Sequence, residues 1–126
     1  MKIFIGADKY GADFSELDRL RKISEKQGYN SYRHWINVEE ILGDYSMQNK
    51  SAILRGAYTG ICIAHSAEFL LRNNVSSVLI DLPYCRYDEK DLQTNLEAIN
   101  IRREDVILGI RPSMRDDSRL KFIVTQ

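Results

Sequence analysis

The sequence is poor in cysteine, proline and long apolar runs. Its 126 residues contain two cysteines and two prolines. Cys62 and Cys85 show no spacing typical of a disulfide framework or a metal site, so we expect a reducing, cytoplasmic location. No apolar run approaches the roughly 20 residues that cross a bilayer, and Met1 and Lys2 lead into a short strand rather than a signal peptide. We therefore expect no membrane partner.

The chain also has no net formal charge at neutral pH. Lysine plus arginine and aspartate plus glutamate each number 18. Such a chain has no overall basic field to attract nucleic acid, so we expect no nucleic-acid partner. A content of 44% hydrophobic and 29% charged residues is typical of a soluble globular protein. The length predicts one domain over residues 1–126.

Hydrophobic periodicity predicts strands that alternate with helices. Phe14, Leu17, Leu20 and Ile23 recur at helical spacing, and Gly28 follows as a helix stop. We predict helices over residues 13–26, 45–57, 68–73 and 88–99, and strands over residues 2–5, 30–36, 59–67, 75–82 and 106–110, with a sixth, C-terminal candidate over 120–124. This order favours a Rossmann-like, three-layer α/β/α sandwich around a mainly parallel five-stranded sheet.

Polar side chains follow the predicted strand ends. They are Asp8 and Lys9 after the first strand, His65, Ser66 and Glu68 after the third, Asp81 after the fourth and Arg111 after the fifth. Because loops face water, a polar side chain at any one of these positions is expected even where it has no function. Because ligands of parallel α/β folds bind at the carboxyl edge of the sheet, the set together favours a binding site there.

Four segments carry a resemblance to a known family. They are Gly6-Ala7-Asp8-Lys9-Tyr10-Gly11, Gly60-Ile61-Cys62-Ile63, Leu71-Arg72-Asn73-Asn74-Val75 and Leu108-Gly109-Ile110-Arg111. In this order they resemble ribose-5-phosphate isomerase type B and its galactose-6-phosphate isomerase relatives. The resemblance implies an aldose–ketose isomerase of carbohydrate metabolism that uses no metal or cofactor and forms a homodimer.

The same resemblance implies a catalytic base. The cysteine used by the commoner form of the family falls at Ala64, whose methyl group cannot accept a proton. A second form uses a glutamate on the next helix, and that position is Glu68. A glutamate in the first turn of a helix also stabilises the helix dipole, so both roles for Glu68 stay open.

Further site residues are implied by the resemblance. Ser66 and Asp8 complete the catalytic group, with Asp8 placed to hold a sugar hydroxyl or, alternatively, to cap a turn. Lys9 and Arg111 match phosphate ligands of the family, although a loop lysine is commonly just solvated. The other implied substrate-binding residues are Gly11, His65, Asn73 and Asp81. His65 replaces a glycine, and either it or Asp81 would have to open the sugar ring.

The resemblance and the departures from it lead to two alternative hypotheses about function. In the first, Glu68 moves a proton between C1 and C2 of a phosphorylated sugar through an enediol. In the second, the scaffold has lost catalysis and binds or sequesters a sugar phosphate or a ribose-containing nucleotide. The loss of the family's cysteine, loop glycines and histidines favours the second function, and the placement of Glu68, Ser66, Asp8 and Arg111 favours the first.

Overall fold

The computed structural model describes residues 1–6, 14–43, 46–58, 62–86, 114 and 116–123. The strands in these ranges are β1 (Lys2–Ile5), β2 (Asn30–Tyr32), β3 (Ser51–Gly56), β4 (Ser77–Cys85) and β5 (Leu120–Ile123), and the helices are α1 (Phe14–Lys26), α2 (Trp35–Leu42) and α3 (Ala64–Arg72). The strands pair in the order β2-β1-β3-β4-β5, and every pair is parallel. The predicted Rossmann-like α/β class is confirmed.

The sheet is covered on both faces. Successive side chains of a strand point to opposite faces, and β1 shows this directly. Ile3 and Ile5 pack with residues of α2 and α3, whereas Phe4 packs with Leu17 and Leu20 of α1. All three β1 side chains are at most 1% exposed, and burial of each is worth about 1.5–3 kcal/mol. The described chain therefore has three layers.

The predicted helix over residues 45–57 is wrong throughout its described part, because residues 46–50 are not helical and Ser51–Gly56 forms β3 in the middle of the sheet. Ala52 and Leu54 pack towards α2 and α3, and Ile53 packs towards α1. A strand that is buried on both faces lacks the usual alternation of apolar and polar residues. Arg55 made β3 still harder to predict, because a cationic side chain is rare in a strand that is buried on both faces.

The predicted strand over residues 59–67 is also wrong in its described part. Residues 64–67 belong to α3, and Ile63 already has helical backbone angles of −65° and −47°. The helix predicted at residues 68–73 thus exists but begins at Ala64. A short apolar run does not distinguish a buried strand from a buried helix, and here the helix forms. Cys62 is fully buried in the core that α2 and α3 share with the sheet.

The predicted second strand, residues 30–36, is too long. It ends at Tyr32, and α2 begins at Trp35. The Nδ1 atom of His34 accepts a hydrogen bond from the Ile36 backbone N–H at 3.3 Å, which caps the new helix. The predicted stop of α1 is confirmed, because the helix ends at Lys26 and Gly28 follows with φ of +88°.

The predicted fourth strand, residues 75–82, is shifted and extended to Ser77–Cys85. Leu54 pairs with Ile80 while Gly56 pairs with Cys85, so β4 carries extra residues in this stretch. Pro83 lies in that irregularity, where a missing backbone N–H costs little.

The C-terminal candidate over residues 120–124 is β5 at one edge of the described sheet. The helix predicted over residues 88–99 and the strand over 106–110 lie outside the described residues. Among the helices of the described ranges, none is long and apolar enough to cross a membrane.

Candidate functional site

The sheet order creates a crevice between the carboxyl ends of β1 and β3. From β1 the chain passes to α1 on one face, and from β3 it passes to α3 on the other. Ligands of parallel α/β folds bind where neighbouring connections diverge in this way. Gly6 directly follows β1 and has a φ of 101°, and Gly56 is the last residue of β3 and has a φ of 122°. The site expected at the carboxyl edge is thus centred on β1 and β3.

Two helices begin beside this crevice, and their first residues touch. The indole of Trp35, at the start of α2, stacks on the imidazole of His65 in the first turn of α3, with ring centroids 4.5 Å apart. The ring of His34 lies 5.3 Å from that of Trp35. The structure therefore places His65 in a half-buried aromatic group at the carboxyl edge.

Ser66 also lies in the first turn of α3. Its side chain is fully buried, and its Oγ has no hydrogen-bond partner within the described part of the chain. A helical serine commonly satisfies its hydroxyl on a carbonyl of the preceding turn. A buried hydroxyl without a partner costs about 1–3 kcal/mol, so a hydrogen bond from an external partner to Ser66 would be stabilising.

Glu68 lies in the second turn of α3, which begins at Ala64, and not in the first turn as expected. Its side chain is 17% exposed, and Oε1 lies 3.0 Å from Nη2 of Arg72, whose side chain is 74% exposed. The helix dipole stabilises negative charge mainly within the first turn. Its interaction with Glu68 is therefore weaker than the expected first-turn position implied.

Asn73 lies at the opposite end of α3. Its Nδ2 donates to the Phe69 carbonyl at 2.8 Å, and its backbone caps the helix C-terminus. Asn73 follows Ser66 by seven positions, which corresponds to about 10 Å along the helix axis. The structure does not bring Asn73 together with Ser66, and its proposed contact with substrate stays a prediction.

Asp81 lies on the α1 face of the sheet, in a buried ion pair. Its Oδ2 accepts a hydrogen bond from Nε of Arg55 at 2.9 Å, and both side chains are less than a tenth exposed. The Arg55 Cζ atom lies over two aromatic rings, 4.2 Å from the ring centroid of Tyr29 and 3.8 Å from that of Tyr84. The Arg55 guanidinium also donates to Ser24 of α1 at 3.2 Å. These contacts give Asp81 a structural role on the face opposite α3, while its contact with a ligand stays a prediction.

Sequence reasoning missed Arg86, which follows the last residue of β4. Its backbone N–H donates to the Gly56 carbonyl at 2.8 Å, and Nη2 lies 3.5 Å from Oε1 of Glu16 in the first turn of α1. Its Nε is buried and has no hydrogen-bond partner within the described ranges. The available signal was an arginine directly after a strand, but the predicted end of that strand lay at residue 82.

Four predicted site residues, Asp8, Lys9, Gly11 and Arg111, lie outside the described residues, so their roles stay predictions. Within the described ranges, no group of three or more histidine, cysteine, aspartate or glutamate side chains could hold a metal ion.

Comparisons of the chain with protein-family models, curated proteins and solved structures find no match. The resemblance to the isomerase family therefore rests on the four short segments alone. In one of these, the described residues Cys62 and Ile63 lead into α3 and do not form the strand that the resemblance implies.

Proposed function

We propose that the protein binds a phosphorylated ligand containing a ribose ring, either a sugar phosphate or a nucleotide, at the carboxyl edge beside β1 and β3. The observation that carries the proposal is the fully buried Ser66 hydroxyl, which has no partner among the described residues. Ribose hydroxyls both donate and accept hydrogen bonds, so they suit a serine hydroxyl. The crevice at this point of the sheet order is the usual place for such ligands.

Two further features support the same ligand class. Gly6 at the end of β1 leaves no side chain between the backbone and a bound molecule. The stacked rings of Trp35 and His65 offer flat apolar surface at the same edge, which suits a sugar face or a nucleotide base.

Ser66→Ala tests the proposal. We expect this variant to bind ribose 5-phosphate and adenosine monophosphate about tenfold more weakly than the original chain, because one hydrogen bond is worth roughly 1–1.5 kcal/mol. Its free energy of unfolding should be unchanged or higher, since an unsatisfied buried hydroxyl is removed. Isothermal titration calorimetry and urea unfolding measure the two quantities.

Ser24→Ala is the matched control. Ser24 is equally buried, but its Oγ accepts from Arg55 on the α1 face. This variant should lose stability and keep its ligand affinity. Absence of binding by the original chain, or equal affinity in Ser66→Ala, would contradict the proposal.

A second candidate is the isomerase reaction, favoured by Glu68 because its carboxylate is mostly buried and lies in the same helix as Ser66. In this reaction Glu68 removes the C2 proton of an aldose phosphate, giving an enediolate with its negative charge on O1. The resulting carboxylic acid returns that proton to C1, and the O2 hydroxyl proton passes to O1. The ketose formed has the same composition as the aldose, so no oxidant is consumed.

Glu68→Gln tests this second candidate in a coupled assay for conversion of ribose 5-phosphate to ribulose 5-phosphate. Loss of the base should lower kcat by about 10²–10⁴-fold. Arg72→Gln, which removes only the exposed ion-pair partner of Glu68, should retain most of the activity. No turnover by the original chain, together with a raised Tm in ribose 5-phosphate, would reject the isomerase and leave the binding proposal intact.

A further inference from the structure

We infer that Arg86 binds the phosphate group of the ligand, an inference that rests on the proposed function and names its anion-binding residue. Arg86 begins the connection that follows β4, and its backbone N–H donates to the Gly56 carbonyl at 2.8 Å. That bond fixes the start of the arginine side chain beside the end of β3. Arg86 is thus anchored at the crevice proposed for the ligand.

The guanidinium of Arg86 has unused hydrogen-bonding capacity. It carries five N–H donors. Its Nη2 lies 3.5 Å from Glu16, longer than a strong hydrogen bond, and its buried Nε has no acceptor in the described part of the chain. The side chain is 41% exposed, so a ligand can reach it.

The negative charge of Glu16 is already matched by a closer cation. Both Glu16 oxygens accept from Arg19, at 3.0 Å from Nε and 2.5 Å from Nη2. Arg86 is the more distant of the two cations, so the three side chains together carry a net positive charge. A phosphate with several acceptor oxygens would satisfy Nε and a second N–H of Arg86 in the paired geometry that guanidinium groups favour.

The test compares phosphorylated and unphosphorylated ligands. Isothermal titration calorimetry would measure ribose 5-phosphate against ribose, and adenosine monophosphate against adenosine. In the original chain we expect the phosphorylated member of each pair to bind at least about tenfold more tightly. In Arg86→Gln that preference should fall to near unity while binding of ribose and adenosine is unchanged. Arg86→Lys should retain part of the preference, since it keeps the charge but not the planar pair of donors.

Arg21→Gln is the matched control, because it removes the same charge from a surface arginine of α1 that pairs with Asp18 and Glu25. Its preference for phosphorylated ligands should equal that of the original chain. An undiminished preference in Arg86→Gln, or no preference in the original chain, would overturn the role of Arg86 while leaving ligand binding in place. Failure of the original chain to bind any of the four compounds would overturn the proposed function itself.

Discussion

Replacing Asp81 by Asn should lower the free energy of unfolding by about 3–5 kcal/mol, because it leaves the Arg55 guanidinium buried without a counter-ion. The two side chains are only 8% and 9% exposed and meet at 2.9 Å. Ser24 and the rings of Tyr29 and Tyr84 still contact Arg55 in the variant, but none of them carries a negative charge. Urea unfolding followed by circular dichroism measures the loss.

Two further variants separate the charge effect from general disruption. Asp18→Asn removes a carboxylate from exposed ion pairs on α1 and should cost far less. The double variant Arg55→Met, Asp81→Leu should recover much of the stability, because apolar residues of similar volume often replace a buried ion pair at little cost. If Asp81→Asn unfolds at the same urea concentration as the original chain, the buried Arg55 guanidinium does not need the charge of Asp81 in the folded state.

Gly56→Ala should lower the free energy of unfolding by at least about 4 kcal/mol, a large part of the roughly 5–15 kcal/mol that stabilises a typical domain. Gly56 ends β3 with φ of +122°, a region that other residues rarely adopt. A Cβ built there would overlap the Ile5 carbonyl oxygen and lie 2.8 Å from the carbonyl carbon. Because Ile5 and Gly56 are register partners, the substitution would separate β1 from β3. Urea unfolding followed by circular dichroism would show this as a large fall in the midpoint.

Gly28→Ala provides the control for backbone conformation alone. Gly28 also has positive φ, at +88°, but a Cβ there would meet no atom within 4 Å. This variant should cost only about 1–2 kcal/mol, the conformational penalty without a clash. Equal losses in the two variants would contradict a specific contact between Gly56 and β1.

Local patterns predicted the elements whose signals are unambiguous. β1 matches its predicted bounds, and α1 shows a regular apolar stripe followed by Gly28. The sequence analysis did not predict β3, because Arg55 is unusual in a buried strand. Its charge is neutralised by Asp81, a partner 26 residues away that no local pattern indicates. The strand predicted over residues 59–67 was wrong because a short apolar run can be buried either as a strand or as a helix. Packing against α2 and the sheet decides between the two.

The candidate site was predictable only in outline. The rule that ligands bind at carboxyl ends directed attention to Ser66 and His65, although the predicted strand before them does not form. The stacking of Trp35 on His65 depends on where α2 begins, and that boundary was predicted as strand. Arg86 was missed because its importance lies in a backbone bond to Gly56 and an unsatisfied Nε, which only three-dimensional packing reveals.

The short outer strand β2 of the described sheet affects how copies of the chain can meet. β2 has three residues, whereas the interior strands β1, β3 and β4 have four, six and nine. A foreign strand that pairs along an outer strand gains hydrogen bonds only over its length, so short edges offer a poor template for sheet extension and aggregation. At the β2 edge of the described sheet, strand-by-strand growth between molecules is therefore disfavoured.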